Sequence, residues 1–183
     1  MIKKEISDQA FTQKVLSLFE KENDQRVYSR GDFLLQEGQV EHHLYFIEKG
    51  AVKLYYLTEF EERIIRFGYD GSLINSLSSF LNGSPSEFYI EAIRKTYVKR
   101  IPKALLMSVI TKNYQSVTQY SKFLETVLIH QIDREIDLMV SSPTQRLERV
   151  LKRSPDLFKH VPLKYIASYL RMNPETLSRI RNS

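Results

Sequence analysis

Between Tyr114 and Val140 the chain has no glycine or proline, and Val117, Tyr120, Leu124, Leu128, Ile132, Ile136 and Met139 recur at spacings of three or four. The mean spacing, about 3.7 residues, is close to the helical period. One helix follows, about 40 Å long at about 1.5 Å per residue. Phe123, Val127 and Ile129 add apolar surface outside that seam, so more than one face needs a cover. One face is assigned to the chain's own N-terminal part. The seven-residue seam is assigned to the same helix of a second copy, in the manner of a coiled coil. A long core helix in a monomeric bundle fits the same period, and the flanking segments decide between the two.

Upstream, Phe11, Val15, Leu18 and Phe19 share one face of a helix expected from about Ser7 to Glu22, with Ser7 or Asp8 as its cap and Asn23 near its end. Short runs of β-branched and aromatic residues come next: RVYS, FLLQ, LYFIE, AVKLYYL, RIIRF, FYIEAI and TYVKRI. Gly31-Asp32, Glu37-Gly38, Lys49-Gly50, Asp70-Gly71 and Asn82-Gly83 punctuate them as turns. Strands this short and this evenly spaced predict a β-roll or jelly roll rather than a parallel sheet. Asn75 to Leu81 has helical spacing and reads as a short inserted helix, and KALLMSVITKN after Pro102 reads as a helix leading into the long one. All six glycines lie between positions 31 and 83 and all six prolines after them, so a β-rich part gives way to helices.

Beyond the long helix, Ser141-Ser142-Pro143 is a hinge: Ser142 is steered out of the α region and Pro143 can start a helix with Leu147, Val150 and Leu151 on its apolar face. SPDLFKHV reads as a loop. Leu163 to Leu170 is then a short amphipathic helix, Arg171-Met172-Asn173 a turn, and Pro174 to Asn182 a second helix capped by Asn173. On that helix Leu177 and Ile180 point inward, while Glu175, Ser178, Arg179 and Asn182 form a polar face. Such a face can lie in a major groove, where Arg179 reaches guanine O6/N7 and Glu175 accepts from cytosine N4. Lys164, Thr176 and Arg181 sit nearer the phosphates. Standing alone, the unit also reads as a solvated surface helix.

Charge changes that balance. The net charge is +5 overall, yet Pro143 to Ser183 holds nine Lys/Arg against three Asp/Glu, leaving the first 142 residues slightly acidic. A basic segment after a neutral body suggests a polyanionic partner. The absence of cysteine excludes disulfides, thiolate nucleophiles and Cys-ligated metal centres. No apolar run approaches a membrane span and MIKKEISDQAF lacks a signal-peptide core, so a cytoplasmic, non-membrane protein is expected. A cupin-like metal enzyme is disfavoured, because the adjacent His42 and His43 would point to opposite faces of a strand. No catalytic spacing stands out, and no cofactor, metal or enzymatic activity is expected.

The residues GDFLLQEGQ, HLYFIEKGAVKLYY, SSFLNGSPSEFYIEAI, the long helix, and IASYLRMNPETLSRIR together resemble the Crp/Fnr family of bacterial transcription regulators. The resemblance implies an α+β chain: a cyclic-nucleotide-binding-like jelly-roll sensor domain over 1–112, a dimerisation helix over 113–140 and a helix-turn-helix domain over 141–183. It also implies a homodimer on a two-fold-symmetric operator in double-stranded DNA, and contact with RNA polymerase. Lys164, Arg171, Asn173, Glu175, Thr176, Ser178, Arg179, Arg181 and Asn182 are then the expected DNA contacts.

Two departures qualify it. Asn75-Ser76 and Ser86-Glu87 stand where the family's cyclic-nucleotide binders hold ribose and cyclic phosphate with Gly-Glu and with Arg followed by Ser or Thr. A buried phosphate needs a paired cation and Glu87 would repel it, so these four residues mark an effector pocket expected not to take cyclic AMP, with another small molecule or none in its place. Arg171 occupies a turn position where the family usually has glycine. With no wing hairpin expected after the recognition helix, it leaves a second function open: a ligand-binding or interaction module whose helix-turn-helix does not bind DNA.

Overall fold

The structure, a computed structural model, describes residues 9–182. Ser7 and Asp8, the expected cap, lie outside them. Helix α1 (Gln9–Glu22) is followed by β1 (Gln25–Tyr28), β2 (Phe33–Leu35), β3 (His43–Lys49), β4 (Ala51–Leu57), β5 (Glu62–Tyr69) and β6 (Leu73–Ile74). Then come α2 (Leu77–Asn82), β7 (Tyr89–Ala92), β8 (Thr96–Pro102) and α3 (Lys103–Ile110). The long helix α4 (Tyr114–Met139) leads to α5 (Pro143–Arg153), α6 (Leu157–His160), α7 (Leu163–Tyr169) and α8 (Pro174–Asn182). The chain is therefore α+β: an N-terminal jelly roll, one long helix and a helical C-terminal unit.

The roll is two four-stranded sheets, ordered β1-β8-β3-β6 and β2-β7-β4-β5, with antiparallel pairing throughout. Ile47, Val52, Ile74, Ile90 and Val98 fill the space between them. Glycine is required at the β3–β4 turn: Gly50 has φ +116°, and a Cβ there would sit 2.6 Å from the Thr96 backbone. Two strand residues, Leu73–Ile74, escape sequence reasoning because alternation cannot register over so short a run. SPDLFKHV, expected as a loop, contains the single helical turn α6. Its Leu157 is buried, which fixes a turn too short for periodicity to announce.

Two more cores tie the helices to the roll. Phe11, Val15 and Phe19 of α1 pack with Leu106 and Ile110 of α3, and Tyr120 and Phe123 of α4 join them. Asn113 caps α4, its side-chain oxygen accepting from the Ser116 N–H at 2.8 Å. At the other end, Ile64, Phe67 and Tyr69 on β5 share a core with Leu147, Val150, Leu157, Ile166 and Leu177. The C-terminal unit is thus seated against the roll as well as joined through the long helix.

Candidate nucleic-acid interface and effector cleft

Helices α7 and α8 meet at a turn whose geometry is a helix C-terminal motif. The Arg171 N–H donates to the Ser168 carbonyl at 3.0 Å and the Met172 N–H to the Ala167 carbonyl at 2.9 Å. Arg171 itself sits in the left-handed region, φ 53°, at about 1 to 2 kcal/mol. Leu177 is fully buried and Ile180 packs against the same core, as the spacing predicts. Glu175, Arg179, Asn182 and Arg181 are exposed, and Thr176 and Ser178 half-buried. Arg181 leans over the Phe158 ring at 5.9 Å, away from the turn. Lys164, Arg171 and Asn173 are exposed and line one open groove with Glu61 and Arg63 of the β4–β5 hairpin.

The junction between α4 and the C-terminal unit is held by charged residues that the sequence does not single out. Asp137, on α4, has no solvent exposure and accepts from Arg149 Nε at 2.8 Å and from Arg153 Nη2, both on α5. Arg146 donates to the Val140 carbonyl at 2.8 Å and to the Leu170 carbonyl at 2.6 Å. The Ser141–Pro143 segment is therefore spanned on one side by ion pairs and on the other by carbonyls gathered on one guanidinium. Periodicity places charges on a helix's solvent face by default, so no sequence signal separates Asp137 from its exposed neighbours.

The long helix divides its apolar residues between two faces. Val117, Leu128, Ile132, Ile136 and Met139 are exposed, from 42% to 80%, as is Ile129. Leu124 is half-buried. Tyr120, expected in the outer seam, instead faces α1, its ring 6.0 Å from that of Phe11. The departure is physical: at a three-residue step from Val117 the side chain rotates toward the roll, where an aromatic cluster receives it.

Between α4 and the roll lies a cleft of 480 Å³, lined by Leu54, Ile65, Arg66, Phe88, Leu124 and Asn75 among others. Of the four expected effector residues, Asn75 lines it. Ser76 and Ser86 are buried and close on each other, Oγ to Oγ at 2.8 Å. Glu87 is exposed and does not line the cleft, so its charge does not act there as the sequence reading supposed. The two serines present no cation for a cyclic phosphate. The cation that lines the cleft is Arg66, from β5, which sequence reasoning missed.

Behind the serines, Glu41 is 1% exposed. Burial pushes its carboxyl up to about 7, against the opposing pull of the His43 and Ser76 N–H groups. A raised folded-state value means the folded chain holds more protons than the unfolded one between about pH 4.5 and 7. Stability should therefore fall by about 3 kcal/mol as pH rises through that window. Urea unfolding of Glu41→Gln should lose this slope, and a slope unchanged from wild type would refute the assignment.

A model of the cyclic nucleotide-binding domain family matches residues 25–113. Among solved structures, FixK2 from Bradyrhizobium japonicum superposes with TM-score 0.69 at 20% identity, over 86% of this chain and 82% of that one. The chain shares the fold of that protein, and its N-terminal part matches the cyclic nucleotide-binding domain. The catabolite activator protein of Thermus thermophilus, at 18% identity, covers 96% of this chain and 84% of its own with TM-score 0.57. A second Thermus thermophilus protein, a transcriptional regulator of the CRP family, gives TM-score 0.61 at 16% identity over 86% and 82%. No curated protein matches the sequence. In this fold α7 and α8 are two short helices joined by the Arg171 turn, after the long helix α4. Among the described residues no helix is long and apolar enough to cross a membrane, and no group of three or more His, Asp or Glu is placed to hold a metal.

Proposed function

We propose that the chain is a sequence-specific DNA-binding transcription regulator that acts as a cytoplasmic homodimer on a palindromic operator. Its working parts are the roll over 1–112, the long helix over 113–140 and the helix-turn-helix over 141–183. The observation that carries this reading is the outward face of α8. Leu177 and Ile180 anchor the helix, leaving Glu175, Arg179 and Asn182 exposed on a net-basic unit. Arg171 supports it: an exposed cation held in the left-handed region at the turn suits a phosphate contact beside the groove. The structural neighbours are transcription regulators rather than enzymes, which favours the same class. RNA polymerase is the further partner expected of an operator-bound dimer of this kind.

The cleft between α4 and the roll is the effector pocket in this reading. A serine pair closed on itself argues against cyclic AMP as the ligand, since the phosphate would lack a cation where the fold presents it.

Selection of bound duplexes from a randomised pool, with purified protein at near-physiological salt, should recover a palindrome with half-sites one DNA turn apart, about 34 Å. Arg179→Ala should then lose about 1 to 3 kcal/mol of discrimination at one base pair. Lys164→Ala should weaken all sequences alike and flatten the salt dependence. A pool that yields only salt-dependent, sequence-independent binding would overturn the reading, as would an Arg179→Ala variant with intact specificity.

A further inference from the structure

One cation on the long helix is buried without a full set of partners. Arg134, on α4, is only 8% exposed, yet its Nε and Nη1 have no acceptor among the described residues. Its Nη2 donates to the Tyr169 carbonyl at 2.8 Å, and the guanidinium lies 3.8 Å above the Tyr169 ring. An isolated buried cation is costly unless something pairs with it. Burial lowers the proton affinity of Arg134 and also that of Arg66, the direction expected of cations short of partners.

Arg134 faces a cavity of 80 Å³ enclosed by β5, α4, α5, α6 and the end of α7. Arg66 and Arg153 line the same cavity, and among the described residues no aspartate or glutamate does. Arg153 is already paired with Asp137. The remaining walls are mostly apolar, including Phe67, Phe123, Val127 and Leu157. This cavity is distinct from the effector cleft but adjoins it, sharing Ile65, Arg66, Val127 and Gln131. An arginine-lined, acid-free chamber with apolar walls suits an anion carrying a short hydrocarbon body. A cavity of about 150 Å³ holds benzene, so this smaller one admits a body of only a few heavy atoms.

We propose that the chamber at the meeting point of roll, long helix and helix-turn-helix binds a compact organic acid, its carboxylate on Arg134 and its apolar remainder against Phe67, Phe123 and Leu157. The ligand touches all three parts at once, so its binding stabilises the seating of the C-terminal unit on the roll. If the chain is the DNA-binding regulator proposed above, that seating sets where α8 can reach. The binding itself is independent of that reading.

The test is a titration of the full chain with sodium propionate, against sodium phosphate and sodium chloride at equal ionic strength, without DNA. Two readouts apply: the thermal midpoint, and the arginine Nε–H resonance that vanishes in Arg134→Met. Propionate should shift that resonance and raise the midpoint by about 5 to 10 °C at one hundred times its Kd. Arg134→Met removes an unpaired buried cation in favour of an apolar chain of similar length, so it should fold and should lose the midpoint response. Arg66→Met, at the half-buried side of the chamber, should weaken binding several-fold while leaving the Arg134 resonance in place to report it. A water-filled chamber only would show no propionate effect beyond that of chloride. That outcome, a phosphate response as large as propionate's, or a midpoint response that survives in Arg134→Met overturns the proposal whether or not the protein binds DNA.

Discussion

Replacing Asp137 by Asn should destabilise the protein by about 3 to 5 kcal/mol, the range measured when one member of a buried ion pair is removed. Asp137 has no exposure and joins two guanidinium groups, of which Arg153 is 11% exposed and Arg149 41%. Most of the loss comes through Arg153, whose charge would be left without a partner in a confined site. The exposed Arg149 can turn to water, and an ion pair of that kind contributes only about 0 to 1 kcal/mol. Arg149→Ala should accordingly cost under about 1 kcal/mol, and the contrast between the two variants is the diagnostic. Urea unfolding would read both as a shift in midpoint at unchanged slope. If Asp137→Asn and Arg149→Ala were equally mild, the α4–α5 junction would not depend on the buried pair. On the function proposed above, the loss should appear as weakened affinity at all sequences, because Asp137 is buried at the α4–α5 junction and acts through the position of the C-terminal unit.

Asp137 also shows where sequence reasoning stops. Apart from the short β6 and α6, the elements were legible because each rests on local pattern: the period of α4, the glycine turns between strands, Pro143 and Pro174 at helix starts. The inward pair Leu177 and Ile180 and the outward Glu175, Arg179 and Asn182 follow from the same spacing. What remained hidden depends on which parts of the chain meet. Arg66 is one residue in an alternating strand, and only the proximity of α4 makes it a cavity cation. Arg134 and Asp137 lie among other charged residues on a long helix, and their burial arises from the seating of α5 and α7 beside them. Glu87 illustrates the converse. Its neighbour Ser86 turns inward to Ser76 while Glu87 is exposed, so a cassette aligned by sequence alone assigns Glu87 a role that its placement denies. Tyr120 fails in the same way, since a helical seam drawn with steps of three and four does not say which members the roll will claim.

On the function proposed above, Leu128→Glu should leave a monomer with operator affinity lower by about 10²- to 10⁴-fold. Leu128 is 60% exposed, and Ile132, Ile136 and Met139 continue its stripe along the same helix at 48%, 42% and 80%. Large apolar side chains repeating at helical spacing on an exposed face form a contiguous patch rather than scattered surface residues. A two-fold pairing of α4 with its copy would cover it, each residue meeting its own counterpart near the axis. A glutamate at position 128 would then face a second glutamate in a dry seam, adding charge repulsion to the lost apolar contact. The affinity penalty follows from tethering. In a dimer, binding of one recognition helix holds the second near its half-site at an effective concentration in the millimolar range, and a monomer forfeits that gain. Sedimentation at micromolar protein would report the change in mass, and titration of the selected operator the change in affinity. Tyr120→Ala provides the contrast, because its ring packs on Phe11 within the same chain; it should lower thermal stability while leaving the dimer intact. Unaltered mass and operator affinity in Leu128→Glu would mean that the stripe on α4 is not the dimer seam and that half-site spacing is set elsewhere. Loss of dimer with operator affinity retained would instead uncouple the two, leaving each helix-turn-helix to bind as an independent reader.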